Sequence, residues 1–148
     1  MLIYDNGCFK IGEVSFQLPN GVGIDTNSDE LCGEGFHLYA SDKSFSVQID
    51  FKESDKNAYD AITRNFLPPF NYRKSGEVGA ISVSGLRGYK AHFEDDKSYH
   101  EEYIFDLINC EARLLDIYVL IPRKGGYDEA LKCRIVSEIL ESIKCNIE

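Results

Sequence analysis

Residues 78–121 read VGAISVSGLRGYKAHFEDDKSYHEEYIFDLINCEARLLDIYVLI. Apolar and polar side chains alternate through most of this stretch, which is the pattern of β-strands that bury one face. Glycines on either side of Leu86 and a charged run at 94–98 interrupt the alternation, as turns between strands do. We therefore predict four consecutive strands, and turns this short join antiparallel neighbours.

The last of these strands, residues 113–121, is apolar on both faces except at Asp116. That pattern predicts a central strand with cover above and below. A strongly amphipathic segment follows at 127–145, where apolar residues recur at steps of three and four and predict a terminal helix. Its apolar stripe consists of Leu131, Ile135, Val136, Ile139, Leu140 and Ile143.

The first half of the chain adds further strand signals. Residues 9–18 alternate in two halves that are offset by one residue at Gly12, which predicts a bulge or a tight turn there. Residues 22–35 are small, acidic and glycine-containing, so we predict a surface loop. Residues 36–51 alternate on both sides of a polar turn and predict a β-hairpin.

A short helix is predicted between the hairpin and the long alternating stretch. Ser54 or Asp55 can cap it through a side-chain oxygen, and Pro68-Pro69 ends it because proline lacks an amide hydrogen. The predicted fold is α+β, with a mostly antiparallel sheet of about seven strands, an ordinary number, covered by two helices. We expect a single domain over residues 1–148.

Composition and charge narrow the function classes. The chain is 43% hydrophobic and 28% charged, which is typical of globular proteins. Its net charge of -9 disfavours nucleic acid and anionic membrane surfaces as partners, because phosphates are repelled. It permits a basic protein partner. No window is apolar enough for membrane insertion.

The cysteines point to a reducing compartment. There are five, an odd number, scattered and without a C-x-x-C pair, as expected of reduced thiols. The amino terminus lacks a basic region followed by an apolar run. We predict a cytoplasmic protein, and an exported protein whose leader has been removed is the alternative.

One charged cluster invites a metal hypothesis. His92, His100 and Glu102, with the carboxylates around them, lie on two strands of a predicted hairpin, and imidazole and carboxylate groups are ligands for divalent metals. This spacing matches no established metal motif, and a solvated charged turn is the interpretation we favour, so we predict no metal site. A metal-dependent or hydrolytic enzyme that uses this cluster is the alternative functional hypothesis.

Other catalytic and cofactor signatures are absent from the sequence. It has no G-x-S-x-G elbow, no P-loop and no G-x-G-x-x-G fingerprint. No histidine is placed beside a cysteine in a way that indicates a thiol nucleophile. We therefore predict no cofactor and no catalytic residues.

Aromatic residues suggest binding instead. Nine tyrosines and nine phenylalanines make up the aromatic content, and tyrosines exposed on a sheet are good binding anchors. Filling of the core between sheet and helices explains the tyrosines as well. The candidate binding residues are Tyr39, Arg87, Tyr89, Tyr99 and Tyr103.

Three segments resemble the Mog1/PsbP-like superfamily, in particular the bacterial group related to DcrB (the DUF1795 type). FQLPNG at 16–21 is similar to its opening strand and stop, VSGLRGY at 83–89 to its glycine-marked hairpin, and IVSEILESIK at 135–144 to its closing helix. The resemblance implies an α/β/α sandwich. It also implies an accessory protein that binds other proteins, since members of the superfamily mostly do so.

The leading hypothesis is a non-enzymatic adaptor or chaperone-like protein. Its expected partner is another protein, either basic or with an exposed apolar segment. A cytosolic immunity protein against a basic toxin domain is a second binding hypothesis. A small-ligand binder with a pocket between the sheet and the terminal helix is the third.

Overall fold

The structure is a computed structural model, and it describes residues 2–5, 8–11, 14–17, 19, 22–25, 34–40, 44–52, 56–107 and 114–145. The strands are Leu2–Asp5 (β1), Cys8–Ile11 (β2), Val14–Gln17 (β3), Val22–Asp25 (β4), Glu34–Ala40 (β5), Ser46–Lys52 (β6), Arg73–Lys74 (β7), Gly79–Val83 (β8), Leu86–Glu94 (β9), Ser98–Asp106 (β10), Leu114–Pro122 (β11) and Lys144–Cys145 (β12). The helices are Ala58–Thr63 (α1), followed by a 3-10 turn at Arg64–Phe66, and Glu129–Ser142 (α2).

The strands form two antiparallel sheets. The larger has eight strands in the order β4-β5-β6-β11-β10-β9-β7, with β8 also paired to β9. The smaller has the order β1-β2-β3-β12. The predicted α+β class is confirmed, and so are the hairpin β5–β6 and the four strands β8 to β11. β11 lies between β6 and β10 and buries side chains on both faces, as its apolar sequence predicted.

The sheets differ from the prediction in number and extent. A second, four-stranded sheet accompanies the larger one, whereas we expected one sheet of about seven strands. Residues 22–35, predicted as a loop, begin with strand β4, which pairs with β5 from Val22↔Ala40 to Asp25↔His37. Such short edge strands depend on a partner more than on their own pattern, and Gly23 weakens that pattern further.

The first helix begins later than the sequence suggested. Asn57 is its N-cap, and the Asn57 side chain accepts a hydrogen bond from the amide of Asp60 at 2.9 Å. The predicted caps, Ser54 and Asp55, lie outside the described residues. α1 ends at Thr63 and tightens into the 3-10 turn before the prolines.

Each face of the large sheet has its own core. One face packs against β2, β3 and α2, and the stacked rings of Phe9, Phe16 and Phe51 join the two sheets, with centroids 5.3 and 6.4 Å apart. The other face packs against α1, where Ala58 and Ile62 meet Phe93 and Ile104. The prediction that helices cover both sides of the sheet is therefore correct.

The terminal helix follows the predicted stripe. Ile135, Val136 and Ile139 are buried, and the Asp128 side chain caps the first turn by accepting from the amide of Leu131 at 3.0 Å. No helix in the described ranges is long and apolar enough to span a membrane.

A buried ion pair fastens α2 to the large sheet. The Lys132 ammonium donates to Glu101 of β10, and both residues are almost fully buried. Tyr103 donates to the other oxygen of the same carboxylate at 2.9 Å. Burial opposes the charge of Lys132, but the hydrogen bond and charge of Glu101 outweigh it and raise the pKa of Lys132 to about 12.

Candidate binding site

A cleft of about 220 Å³ opens on the α1 side of the large sheet. Its lining includes the buried residues Asn65, Glu102 and Asp116 and the exposed residues Arg64 and Phe70. Strand alternation explains the buried set, because even-numbered residues of β10 and β11 share this face. The cleft therefore combines a buried polar floor with a charged and aromatic edge.

Hydrogen bonds organise that floor. Lys52 donates to Oδ2 of Asp116 at 2.8 Å. Asn65 donates to Oε1 of Glu102 at 2.6 Å and to the carbonyl oxygen of Ile62 at 3.0 Å. These bonds tie the 3-10 turn to strand β10 and strand β6 to strand β11.

Glu102 is the carboxyl group of the floor that resists ionisation. Burial raises the pKa of Glu102 well above its ordinary range, and the neighbouring charge of Asp116 raises it further. Among the described residues, Oδ1 of Asp116 is buried without a hydrogen-bond partner. A proton on Glu102 would supply a donor to that oxygen beside the Asp116–Lys52 ion pair.

An aromatic cluster lies next to the cleft. The ring of His100 stacks on Phe93 with centroids 5.0 Å apart, and His100 Nδ1 lies 2.6 Å from the hydroxyl of Tyr118. Burial lowers the pKa of His100, although the charge of Asp95 opposes the shift. Nε2 lies 3.4 Å from Asp95 but forms no aligned hydrogen bond. His100 therefore serves as a packed core residue.

The residues of the metal hypothesis do not converge. His92 faces α2, where its Nε2 lies 3.8 Å from Glu101, whereas His100 and Glu102 face α1. Among the residues that the structure describes, no three His, Cys, Asp or Glu side chains are close enough to hold a metal ion. His92 pairs with Glu101 across the two strands, and Glu101 points to the opposite face from its neighbours His100 and Glu102.

The candidate binding tyrosines are also divided between faces. Tyr99 and Tyr103 point to the α2 side, but only Tyr99 is exposed, with the guanidinium of Arg123 4.4 Å from its ring centre. Tyr89 lies on the α1 side, half-buried against Tyr59.

The two remaining candidates lie elsewhere on the sheet. Tyr39 is half-buried beside His37 on β5, and Arg87 is exposed near the start of β9. The five predicted residues therefore form no single surface.

Cysteine chemistry gains no support from the described thiols. Cys133 is exposed on α2, where its hydrogen bond to Glu129 raises the pKa of the thiol and keeps it protonated. Cys8 is half-buried in β2.

The sequence reading missed an apolar groove beside the cleft. This α1 groove, of about 480 Å³, is lined by Lys56, Asp60, Thr63, Arg64, Leu67, Pro68, Pro69 and Phe70. Leu67 is 58% exposed and Phe70 is 46% exposed. Pro68-Pro69 predicts the end of the helix, but the three large apolar residues around these prolines, Phe66, Leu67 and Phe70, are also a signal for an exposed apolar loop.

No family model and no curated protein matches the chain. Six chains of solved structures match it. One is a crystal structure from Bacteroides thetaiotaomicron at 1.50 Å resolution, with a TM-score of 0.49 and 13% sequence identity. The similarity covers 92% of this chain and 46% of that one, so this chain spans about half the length of the protein that it matches.

Proposed function

We propose that this protein is a non-enzymatic adaptor or chaperone-like accessory protein that binds another protein through the α1 groove. The observation that carries the proposal is the exposure of Leu67 and Phe70 beside each other on one short loop. Leaving large apolar side chains in water has a cost that binding a partner removes.

Backbone hydrogen bonds fix the conformation of the loop that carries Leu67 and Phe70. The amides of Phe70 and Asn71 donate to the carbonyl of Leu67 at 3.0 and 3.1 Å, and the amide of Tyr72 donates to the carbonyl of Asn65 at 2.9 Å. Asn65 is itself fixed to Glu102. A preorganised surface loses little conformational entropy on binding, which favours affinity.

The resemblance to the Mog1/PsbP-like superfamily supports the same proposal, because its members are mostly accessory proteins that bind other proteins. His92 lies on the opposite face of the sheet from His100 and Glu102, which does not favour the metal-dependent or hydrolytic alternative.

A small-ligand binder is the second candidate, supported by the cleft and its buried polar floor. Thermal unfolding in the presence of a library of small polar metabolites tests it. We expect a ligand of the cleft to raise the unfolding temperature of the wild type and to raise it less in Arg64→Ala, since Arg64 lies at the edge. Equal shifts in both proteins, or none, would count against this candidate.

The adaptor proposal is tested by affinity capture from lysate of the protein's own cells, with quantitative mass spectrometry. The compared proteins are the wild type, Leu67→Asp and the control Lys124→Glu, an exposed change in the loop before α2. We expect one stoichiometric protein with the wild type and the control, and its loss with Leu67→Asp. Identical recovery on all three proteins, or no partner on any, would contradict the proposal.

A further inference from the structure

The described lining of the α1 groove is opposite in charge to the whole chain. The protein has a net charge of -9. Among the described residues that line the groove, Lys56 and Arg64 are basic and Asp60 is acidic, a net charge of +1. The groove is therefore apolar and basic on an acidic protein.

Arg64 is the cation best placed to meet a partner. It is exposed, and its guanidinium carbon lies 5.8 Å from the centre of the Phe70 ring. No carboxylate among the described residues lies within ion-pair distance of it. Arg73, in contrast, contacts Glu94 and Asp96 at 3.9 and 3.5 Å. A guanidinium beside an aromatic face binds a carboxylate in bidentate geometry, and apolar surroundings strengthen the contact.

We infer that the α1 groove binds an acidic segment of a partner protein, with an apolar side chain against Leu67 and Phe70 and a carboxylate on Arg64. The inference rests on the proposed protein-binding function and specifies the chemistry of the partner. It replaces the basic partner that the net charge alone suggested, because the docking surface carries the opposite sign.

Selection from a phage-displayed library of random peptides tests the inference, with the full-length protein as bait. We expect enriched peptides that combine Asp or Glu with Leu or Phe. Synthetic peptides of these sequences should bind about tenfold more weakly to Arg64→Glu than to the wild type, which is about 1.4 kcal/mol. Binding should also weaken as salt is raised.

Two further variants make the result specific. Leu67→Asp should abolish binding of the same peptides, and Lys124→Glu, an equal charge reversal outside the groove, should leave their affinity unchanged. Thermal unfolding of each variant confirms that it is folded. Both substituted side chains in the groove are exposed, so we expect wild-type unfolding temperatures.

The outcomes separate this inference from the proposed function. The enriched peptides could be basic or uncharged, lose binding to Leu67→Asp and bind Arg64→Glu as tightly as the wild type. That result would overturn the inference of an acidic partner but leave the proposed protein-binding function standing. Failure to enrich any peptide that depends on Leu67 would overturn both. A dimer in sedimentation experiments that Leu67→Asp dissociates would assign the groove to a second copy of the chain and overturn the inference.

Discussion

At the scale of single residues, the Glu102 side chain has a different environment and role in the structure from those that the sequence suggested. In the sequence it is one carboxylate in a charged hairpin and a candidate metal ligand. In the structure it is 4% exposed, accepts from Asn65 and lies beside the Asp116–Lys52 pair. Burial raises the pKa of Glu102 and favours its protonated form, which can donate a hydrogen bond in the floor of the cleft.

The protonation of Glu102 gives the folded protein a specific pH dependence. The folded chain holds the Glu102 proton above the ordinary pKa of 4.5, at which the unfolded chain releases it. The folded state therefore binds more protons between the two pKa values, and stability falls as the pH rises through that interval. The stabilisation is fully present below pH 4.5 and is lost above the raised pKa of the folded state.

Glu102→Gln should remove this dependence. The glutamine amide supplies the donor at every pH and its carbonyl still accepts from Asn65. We expect the wild type to lose stability relative to the variant as the pH rises from 5 to 8, because its folded state holds a proton that the unfolded chain releases. Urea unfolding from pH 5 to pH 8 measures the difference.

Glu141→Gln is the matched control, because it makes the same change on the exposed side of α2. Its stability should run parallel to that of the wild type across the pH range. If Glu102→Gln ran parallel as well, Glu102 would not be the neutral member of the network.

At the scale of elements, Gly88 controls the pairing of β9 with β10. A Cβ atom at this position would lie 2.2 Å from the carbonyl oxygen of Ile104 and 2.8 Å from Cδ1 of Phe105. Backbone oxygen cannot move without breaking the sheet, so Gly88→Ala should destabilise the protein by about 3 kcal/mol or more. Chemical denaturation measures the loss.

Gly79→Ala provides the comparison in β8, the strand that pairs with the same β9. There a Cβ atom would meet only the flexible Lys90 side chain, at 3.4 Å, so we expect no loss of stability. Equal losses in the two variants would show that the close approach at Gly88 is not the cause.

The docking of α2 depends on the buried pair of Lys132 and Glu101. Lys132→Met leaves the Glu101 carboxylate buried without its cation and should cost about 3 kcal/mol. Adding Glu101→Met removes the stranded charge and should restore part of the loss. A double-mutant cycle by urea unfolding measures the coupling, and strictly additive losses would mean that the pair does not couple α2 to the sheet.

Periodicity predicted some elements better than others. β8 to β11 and the stripe of α2 followed from the pattern because each is long and buries a regular face. β4 and β12 have four and two residues, too few for a pattern, and their pairing partners define them instead.

The site was harder to predict than the fold. Alternation on β10 and β11 places Glu102 and Asp116 on one face, but their diagonal contact depends on the register Ile104↔Asp116, which the sequence leaves open. The groove depends on the conformation of the loop around Pro68 and Pro69. Residue type alone does not predict that Leu67 and Phe70 are exposed in this loop, because such residues are more often buried.

At the scale of the whole molecule, the acidic excess and the exposed apolar side chains of the groove lie in different parts of the chain. The acidic excess lies outside residues 56–74, whereas the groove within that segment is basic and exposes Leu67 and Phe70. The two-sheet framework with its buried core keeps the groove in place, while the groove itself adds little to that core. This separation is expected of a surface whose purpose is to bind a partner.

The central claim is that the α1 groove docks a partner protein, and a photo-crosslinking amino acid at position 67 in living cells tests it most directly. The same group at Lys124 is the control, since both side chains are exposed. We expect a discrete crosslinked protein from position 67 and none from position 124. No adduct at position 67, or the same adducts at both positions, would contradict it.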